Sequence, residues 1–240
     1  MRLIKLDAID STNDFLKDLS RAEVLESYTV VTARAQTKGK GQMGAKWEVQ
    51  AGKNLTASIL INDAVADISQ IYDLNIVVAL SIADVLEEYN IASISIKWPN
   101  DIMAGVRKCG GILIENSIHY DGRIDCIVGI GLNVNQTNFE HLPKATSMEV
   151  ESGNTFDIEG IIRKIAEHLR RNLSQRMDPI IVRERYYDKL FKKDVPMPFR
   201  NHKETFMGII RGIDEVGSLL IQREDDSVQA YRLKEITMLY

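Results

Sequence analysis

Apolar positions along the chain change period several times, and each change predicts an element. RLIKL at 2–6, YTVVTAR at 28–34 and LTASILI at 55–61 are short, β-rich runs and predict strands. Between the first two, Ser11 stands as a helix N-cap with Asp14 three residues on and Phe15, Leu16 and Leu19 on the following turns. From Asp67 to Tyr89 apolar residues recur at helical spacing, through Ile71, Leu74, Val78, Ile82 and Val85. That stripe is broad enough to be buried against a sheet. ISIKW at 94–98 predicts a strand ended by Pro99, which restricts its predecessor and has no N–H to donate. GILIENSI at 111–118 and DCIVGIGLNV at 125–134 predict two more strands. The short HYDGR turn between them implies antiparallel pairing.

Residues 135–155 are polar and irregular, and helices are predicted from near Asp157 and from Asp178-Pro179. This is an α+β pattern with a mixed or largely antiparallel sheet, not a regular βαβ alternation. After Leu190 the character changes. VPMPF at 195–199 ends the helical region, and ETFMGIIRGI, VGSLLIQRE and VQAYRLKEI are three short β-patterned runs. Two domains are expected, residues 1–190 and 191–240, the second a small SH3-like β-barrel.

Charge and cysteine content narrow the function. Thirty basic and 34 acidic residues give a net charge of -4, with no global attraction to nucleic acid. Cys109 and Cys126 form no CxxC pair and read as buried, reduced thiols. The charged N-terminus MRLIKLDAID is no signal peptide. No run approaches the ~18 apolar residues of a membrane span. A cytoplasmic protein is expected, without a membrane or nucleic-acid partner.

Four stretches carry candidate chemistry. In GKGQMGAKW at 39–47, Gly39, Gly41 and Gly44 permit close backbone approach and an anion-binding nest, with Lys38, Lys40 and Lys46 adding charge. The spacing is neither a Walker loop nor a dinucleotide fingerprint. The stretch serves equally as a mobile surface loop, although Trp47 needs something to pack on: an adenine, another ligand ring or the core. In KWPNDI at 97–102, alternation turns Ile94, Ile96 and Trp98 to one face and Ser95 and Lys97 to the other. Asn100 and Asp101 then stand in a turn, either for local reasons or as base-, ribose- or metal-contacting groups. In RKCGGILIE at 107–115, Lys108 can orient a carboxylate toward phosphorus, and Gly110 and Gly111 leave room for a ligand. Glu115 joins Asp101 as a candidate ligand for Mg2+, or serves as a salt-bridge partner. In GIGLNVN at 129–135, Gly129 and Gly131 mark a close approach or a bulge, and Asn133 and Asn135 suit an adenine or an amide-like ring. The four histidines have no zinc spacing, and no GxSxG elbow is present.

Taken in order, STN at 11–13, Gln36, GKGQMGAKW, KWPNDI, RKCGGILIE and GIGLNVN resemble the biotin protein ligases, also called biotin–acetyl-CoA-carboxylase ligases. The resemblance runs from residue 1 to about 190, and the terminal β module is similar to that family's SH3-like domain. It implies a class-II-synthetase-like catalytic fold and an ATP-dependent activity that makes biotinyl-5′-adenylate and pyrophosphate, using Mg2+. Transfer of biotin to a lysine of a biotin carboxyl carrier domain follows. It also implies site roles. Ser11, Thr12, Asn13 and Gln36 would hold the ureido ring, and Gly39, Lys40, Gly41 and Gln42 would close over biotin and adenylate. Trp47, Asn100 and Asn133 would contact adenine, and Asp101 would help position the nucleotide or metal. Lys108 would be the electrostatic catalyst, with Gly110, Gly111, Gly129 and Gly131 lining the substrate through their backbone.

The chain departs from the family pattern GRGRxGRxW, holding Lys40, Gln42 and Ala45 at the arginine positions. It also has Lys234 where glycine is usual. About ten residues precede STN, too few for the DNA-binding domain that some members carry, so a ligase without that role is expected, as monomer or homodimer. The nearest alternative is a lipoate or octanoate ligase on the same fold. A catalytically dead adaptor or DNA-binding regulator is another.

Overall fold

The computed structural model describes residues 1–48, 50–174 and 178–240. A seven-stranded sheet is formed by β1 (Leu3–Ile9), β2 (Val30–Gln36), β3 (Leu55–Val65), β4 (Ile94–Lys97), β5 (Asp101–Ala104), β6 (Arg107–Ile118) and β7 (Ile124–Leu132). Their spatial order is β1-β2-β3-β7-β6-β5-β4. Only β1 and β2 run parallel. They are joined through α1 (Thr12–Ala22), the crossover that parallel neighbours require. Ser11 caps α1 as expected, accepting from the Asp14 N–H.

Strand alternation gives this sheet two different faces. Val30, Ile59, Ile112, Val128 and Ile130 face the main core, against α2 (Ile71–Glu88) and α4 (Ile158–Ser174). Their neighbours Val31, Leu60 and Ile127 turn the other way and bury Leu16 of α1 in a second, smaller cluster. On that side α1 packs over β2, β3 and β7. The same face of β4, β5 and β6 is left to loops, and there the chemistry-bearing side chains gather.

Several elements differ from the sequence expectation. The helix expected from Asp67 starts at Ile71, because the Asp67 carboxylate accepts from the Ser69 N–H and closes a separate 3-10 turn at Ile68–Gln70. Helical residues Ile68–Glu88 reach a mean hydropathy of 1.4, so one segment does meet the length and composition of a membrane span. Ten of the side chains of α2 are buried in the core instead. The irregular 135–155 region contains a short helix, α3 (Met148–Ser152), capped by Ser147. The last helix, α5 (Pro179–Lys189), begins at the expected Asp178 cap.

The terminal residues form a five-stranded antiparallel sheet in the order β11-β10-β9-β8-β12. Its strands are β8 (Pro196–Arg200), β9 (Thr205–Ile213), β10 (Leu219–Arg223), β11 (Val228–Tyr231) and β12 (Thr237–Met238). The three β-patterned runs became β9, β10 and β11. VPMPF, read as a break, supplies β8. Its prolines are tolerated because β12 pairs only with Phe199 and Arg200, so no donor is needed at Pro196 or Pro198 on that side.

This second sheet is tied closely to the first. The Phe191 N–H donates to the Ile96 carbonyl at 2.9 Å. Trp98 Nε1 donates to the Gly217 carbonyl at 2.8 Å. Gly217 has φ +87°, and a Cβ there would lie 2.2 Å from the Tyr72 ring. Replacing Gly217 with Ala is therefore expected to destabilise the protein by roughly 1–3 kcal/mol. Equilibrium urea denaturation checks this, and an unchanged midpoint would show that the junction gives way freely.

Both cysteines are buried and unpaired, as expected. Burial pushes the Cys109 thiol up to about 12 and the Cys126 thiol up to about 11. Neither is a nucleophile near neutral pH.

Candidate active site

A cavity of about 600 Å3 opens on the uncovered face of β4–β7. The N-terminus of α1 and Gln36 form one end, and the glycine loop forms the roof. Leu233, Lys234, Ile236, Thr237 and Met238 from the terminal sheet form the far rim.

The closed end is a polar network. The Thr12 N–H and hydroxyl both donate to Gln36 Oε1, at 2.7 and 3.0 Å. The fully buried Ser58 hydroxyl lies 2.8 Å from Thr12 Oγ1 and donates to Asn13 Oδ1 at 2.5 Å. Asn13 Nδ2 donates to Glu115 Oε2 at 2.7 Å. Thr12, Asn13, Gln36 and Ser11 are thus brought together as the sequence suggested. Ser58 was missed. Its LTASILI segment reads as an apolar strand, and only its parity against the site face marks it.

The other end is cationic, and a β-bulge makes it so. Strand β5 pairs with β6 as Asp101 with Gly111 and Ile102 with Gly110, but then Met103 pairs with Lys108. Cys109 is an extra residue, so the side-chain phase flips by one. Cys109 enters the core, and Lys108, which would otherwise share the core face with Gly110, turns onto the site face. There its ammonium lies 2.6 Å from Asp101 Oδ1, while Lys97 reaches Asp101 Oδ2 at 3.2 Å. Two ammonium groups share one carboxylate that is only 14% exposed. Lys108 and Asp101 therefore stand inside paired strands, not in the strand entry and turn that the sequence suggested.

The glycine loop is an ordered hairpin. Trp47 N–H donates to Gly39 O, Gly41 N–H donates to Ala45 O, and Lys40 bridges Lys46. Gln42–Gly44 make its turn, with Met43 at φ 57°. Lys40 bonds Asp14 at 2.7 Å, and that bond, with a weaker pull from Glu115, raises its pKa above the usual lysine value. Lys38 is held by Asp10 in the same way. Trp47 lies on the sheet with Lys108 Nζ 5.5 Å from its ring. Its indole N–H is buried and, among the described residues, is the one buried side-chain polar atom without a partner. That N–H lies against the bare backbone at Gly131, where a Cβ would come within 2.7 Å of Nε1, and a buried unpaired donor of this kind is costly.

The glycines of β6 and β7 make room for side chains more than for open space. A Cβ on Gly129 would lie 2.5 Å from Asn13 Oδ1, and one on Gly131 would lie 2.3 Å from the Trp47 ring. On Gly111 it would meet Lys108 Nζ at 3.3 Å. On Gly39 it would meet the Trp47 carbonyl at 2.3 Å.

Three sequence expectations meet a different arrangement in the structure. Gly110 does not line the cavity; its missing Cβ lets β6 approach the Gly131 carbonyl and Leu132. Asn133 also lies outside the lining, and its Nδ2 donates to the Thr146 carbonyl at 2.9 Å. That bond supports the strip of chain whose Lys144 carbonyl and Thr146 N–H pair with Lys108. Asn100 does line the cavity, with its Nδ2 bonded to Ile112 O at 2.6 Å. The structure does not bring Asp101 and Glu115 together. Gly111, opposite Asp101, and Glu115 are four residues apart on one strand, about 13 Å at the usual rise. Each carboxylate already has its own partners. Among the described residues no group of three His, Cys, Asp or Glu side chains is placed to hold a metal.

A family model for the biotin/lipoate A/B protein ligases matches residues 6–135, the segment that carries every site element except the terminal rim. The chain belongs to the biotin/lipoate A/B protein ligase family. Among its relatives it is 30% identical to a bifunctional ligase/repressor BirA of Bacillus subtilis, over 95% of this chain and 72% of that protein. It is 29% identical to a biotin–[acetyl-CoA-carboxylase] ligase of Paracoccus denitrificans, over 89% of this chain and 91% of that one. A solved biotin protein ligase from Aquifex aeolicus, in complex with biotin and ATP, superposes with a TM-score of 0.81 at 28% identity. It covers 99% of this chain and 98% of that one.

Gly131→Ala is expected to push Trp47 off the sheet. Tryptophan fluorescence of the free protein should shift to the red, since the ring becomes solvated. An unchanged spectrum would show that Trp47 does not rest on Gly131.

Proposed function

We propose that the cavity carries out ATP-dependent biotin ligation to a carrier protein in two half-reactions. Biotin binds with its ureido ring at the Ser11–Thr12–Gln36 end and its carboxylate toward Lys108. The carboxylate oxygen attacks the α-phosphorus of ATP, the bond to the β-phosphate oxygen breaks, and pyrophosphate leaves. The amine of a carrier-domain lysine then attacks the acyl carbon of biotinyl-5′-adenylate. An amide forms, the acyl–oxygen bond breaks, and AMP leaves.

The observation that carries this reading is the pairing of a closed polar end with an ammonium pair in one cavity. Both reacting groups of the first step are anions, so their approach costs electrostatic free energy unless cations are fixed between them. Lys108 and Lys97 supply that charge, and Asp101 orients both. Trp47 offers a ring face for adenine. Asn100, with its Nδ2 used, offers Oδ1 to the adenine amino group. The hairpin at 39–47 and the rim at 233–238 exclude water from the mixed anhydride, which hydrolyses otherwise.

Mg2+ enters on this reading as the ATP complex. Asp101 stays with its two lysines and Glu115 with Asn13, so neither is assigned as a ligand. Residues 1–190 would hold the catalytic elements, and 191–240 would close the nucleotide side. On this reading the reaction belongs in the cytoplasm, and two unpaired buried cysteines are in keeping with that.

Pyrophosphate release should respond to biotin and not to lipoate. Labelled biotin should then appear on a carrier domain. Response to lipoate alone would overturn the assignment. Lys108→Ala is expected to slow adenylate formation by roughly 100-fold or more without changing the circular dichroism spectrum. Near-normal turnover would remove Lys108 from its role.

A further inference from the structure

Behind the groups that meet the substrate lies a second row that does not line the main cavity: Ser58 and Glu115. Their hydrogen bonds have a direction that chemistry fixes. An ionised carboxylate only accepts, so Glu115 turns the Nδ2 of Asn13 toward itself. Asn13 Oδ1 is then forced toward Ser58 and, being an acceptor, takes the single Ser58 proton. That proton is shared at most with Thr12 Oγ1, so the Thr12 proton goes on to Gln36 Oε1. Gln36 Oε1 receives the Thr12 N–H as well, and with two donors on it that oxygen is filled.

What faces the cavity is therefore set from behind. Gln36 has only its amide N–H groups left, and Thr12 Oγ1 has only a lone pair. A cyclic urea presents one carbonyl acceptor flanked by N–H donors, the complement of that pair. A dithiolane ring or an alkyl chain presents neither, and would leave the Gln36 donors buried and unpaired. A site built on hydrogen bonds rejects a ligand that lacks them far more strongly than an apolar pocket rejects a polar ligand.

We propose that Glu115 and Ser58 are positioning residues that make this family member select a cyclic urea over apolar-ended carboxylic acids, acting through Asn13 and Thr12. The inference rests on the biotin-ligase reading above and adds the cause of its specificity. The space for it is also built in. Asn13 fits only because residue 129 is glycine, and Glu115 sits two residues along β6 from Leu113, opposite that glycine.

The test uses pyrophosphate release with biotin, lipoate and octanoate as the acids. Ser58→Ala and Glu115→Leu are each expected to raise the KM for biotin at least 10-fold. The KM for ATP should stay within 2-fold, and the preference for biotin over lipoate should shrink in proportion. Ser58→Thr, which keeps the hydroxyl, should restore most of the biotin affinity. Asn13→Asp sets two carboxylates against each other and should bind biotin poorly. In the double variant Asn13→Asp/Glu115→Gln the donor and acceptor are exchanged across the same contact, and biotin binding should recover. That recovery separates direction from mere packing, and it keeps the test decisive if Glu115→Leu fails to fold. Loss of both KM values together, or no rescue in the double variant, overturns the inference while the ligase reading stands. A wild-type protein that turns over lipoate and ignores biotin overturns both.

Discussion

Asp101 holds two ammonium groups against a half-covered sheet, and most of the site follows from that contact. Lys97 and Lys108 would repel each other without the carboxylate, and with it they leave one net positive charge in a partly buried place. Three features of the chain converge there. The hairpin between β4 and β5 sets Lys97 opposite Asp101, and the extra residue Cys109 turns Lys108 inward. The polar strip at 144–146 then pairs with the Lys108 backbone. A site charge held by strands and a bulge is fixed more firmly than one carried on a loop.

The second constraint is space. Lys97, Asp101, Gly111, Gly131 and Thr56 lie in one row across five strands, and Leu113, Gly129 and Ser58 lie in the next row of the same face. Bare glycine backbone at 111, 129 and 131 is occupied by Lys108, Asn13 and Trp47 respectively. The glycines thus act through their neighbours: each lets a side chain lie flat on the sheet beside the cavity.

Much of this was legible in the sequence. The strands from YTVVTAR to GIGLNV, the Ser11 cap and the grouping of STN, Gln36, KWPND and Lys108 all follow from local pattern or from ordered motifs. The differences have specific physical causes. A one-residue bulge leaves no mark in composition, so Lys108 read as a strand entry when it stands within β6. Asn133 sits in a motif beside cavity-lining Gly129 and Gly131, but its amide goes to the Thr146 carbonyl, which only the fold brings near. Asp101 and Glu115 look close as carboxylates in neighbouring motifs, yet strand rise puts about 13 Å between their positions along β6. The rim at 233–238 was invisible because a short β module carries no signal of what it packs against.

The hairpin at 39–47 shows how the chain distributes charge and shape. Its basic residues look like phosphate ligands in the sequence, but Lys38 is bound to Asp10 and Lys40 to Asp14, both at the start of α1. Those pairs fasten the base of the hairpin to the end of the cavity that needs hydrogen bonds, not cations. What the hairpin brings to the cationic end is Trp47, seated between Gly131 and Lys108. Fixed cationic charge therefore comes from the strands and aromatic surface from the roof. The ion pairs at the base of the roof are exposed and contribute little when solvated, so the packing of Trp47 on Gly131 is its firmer contact with the sheet.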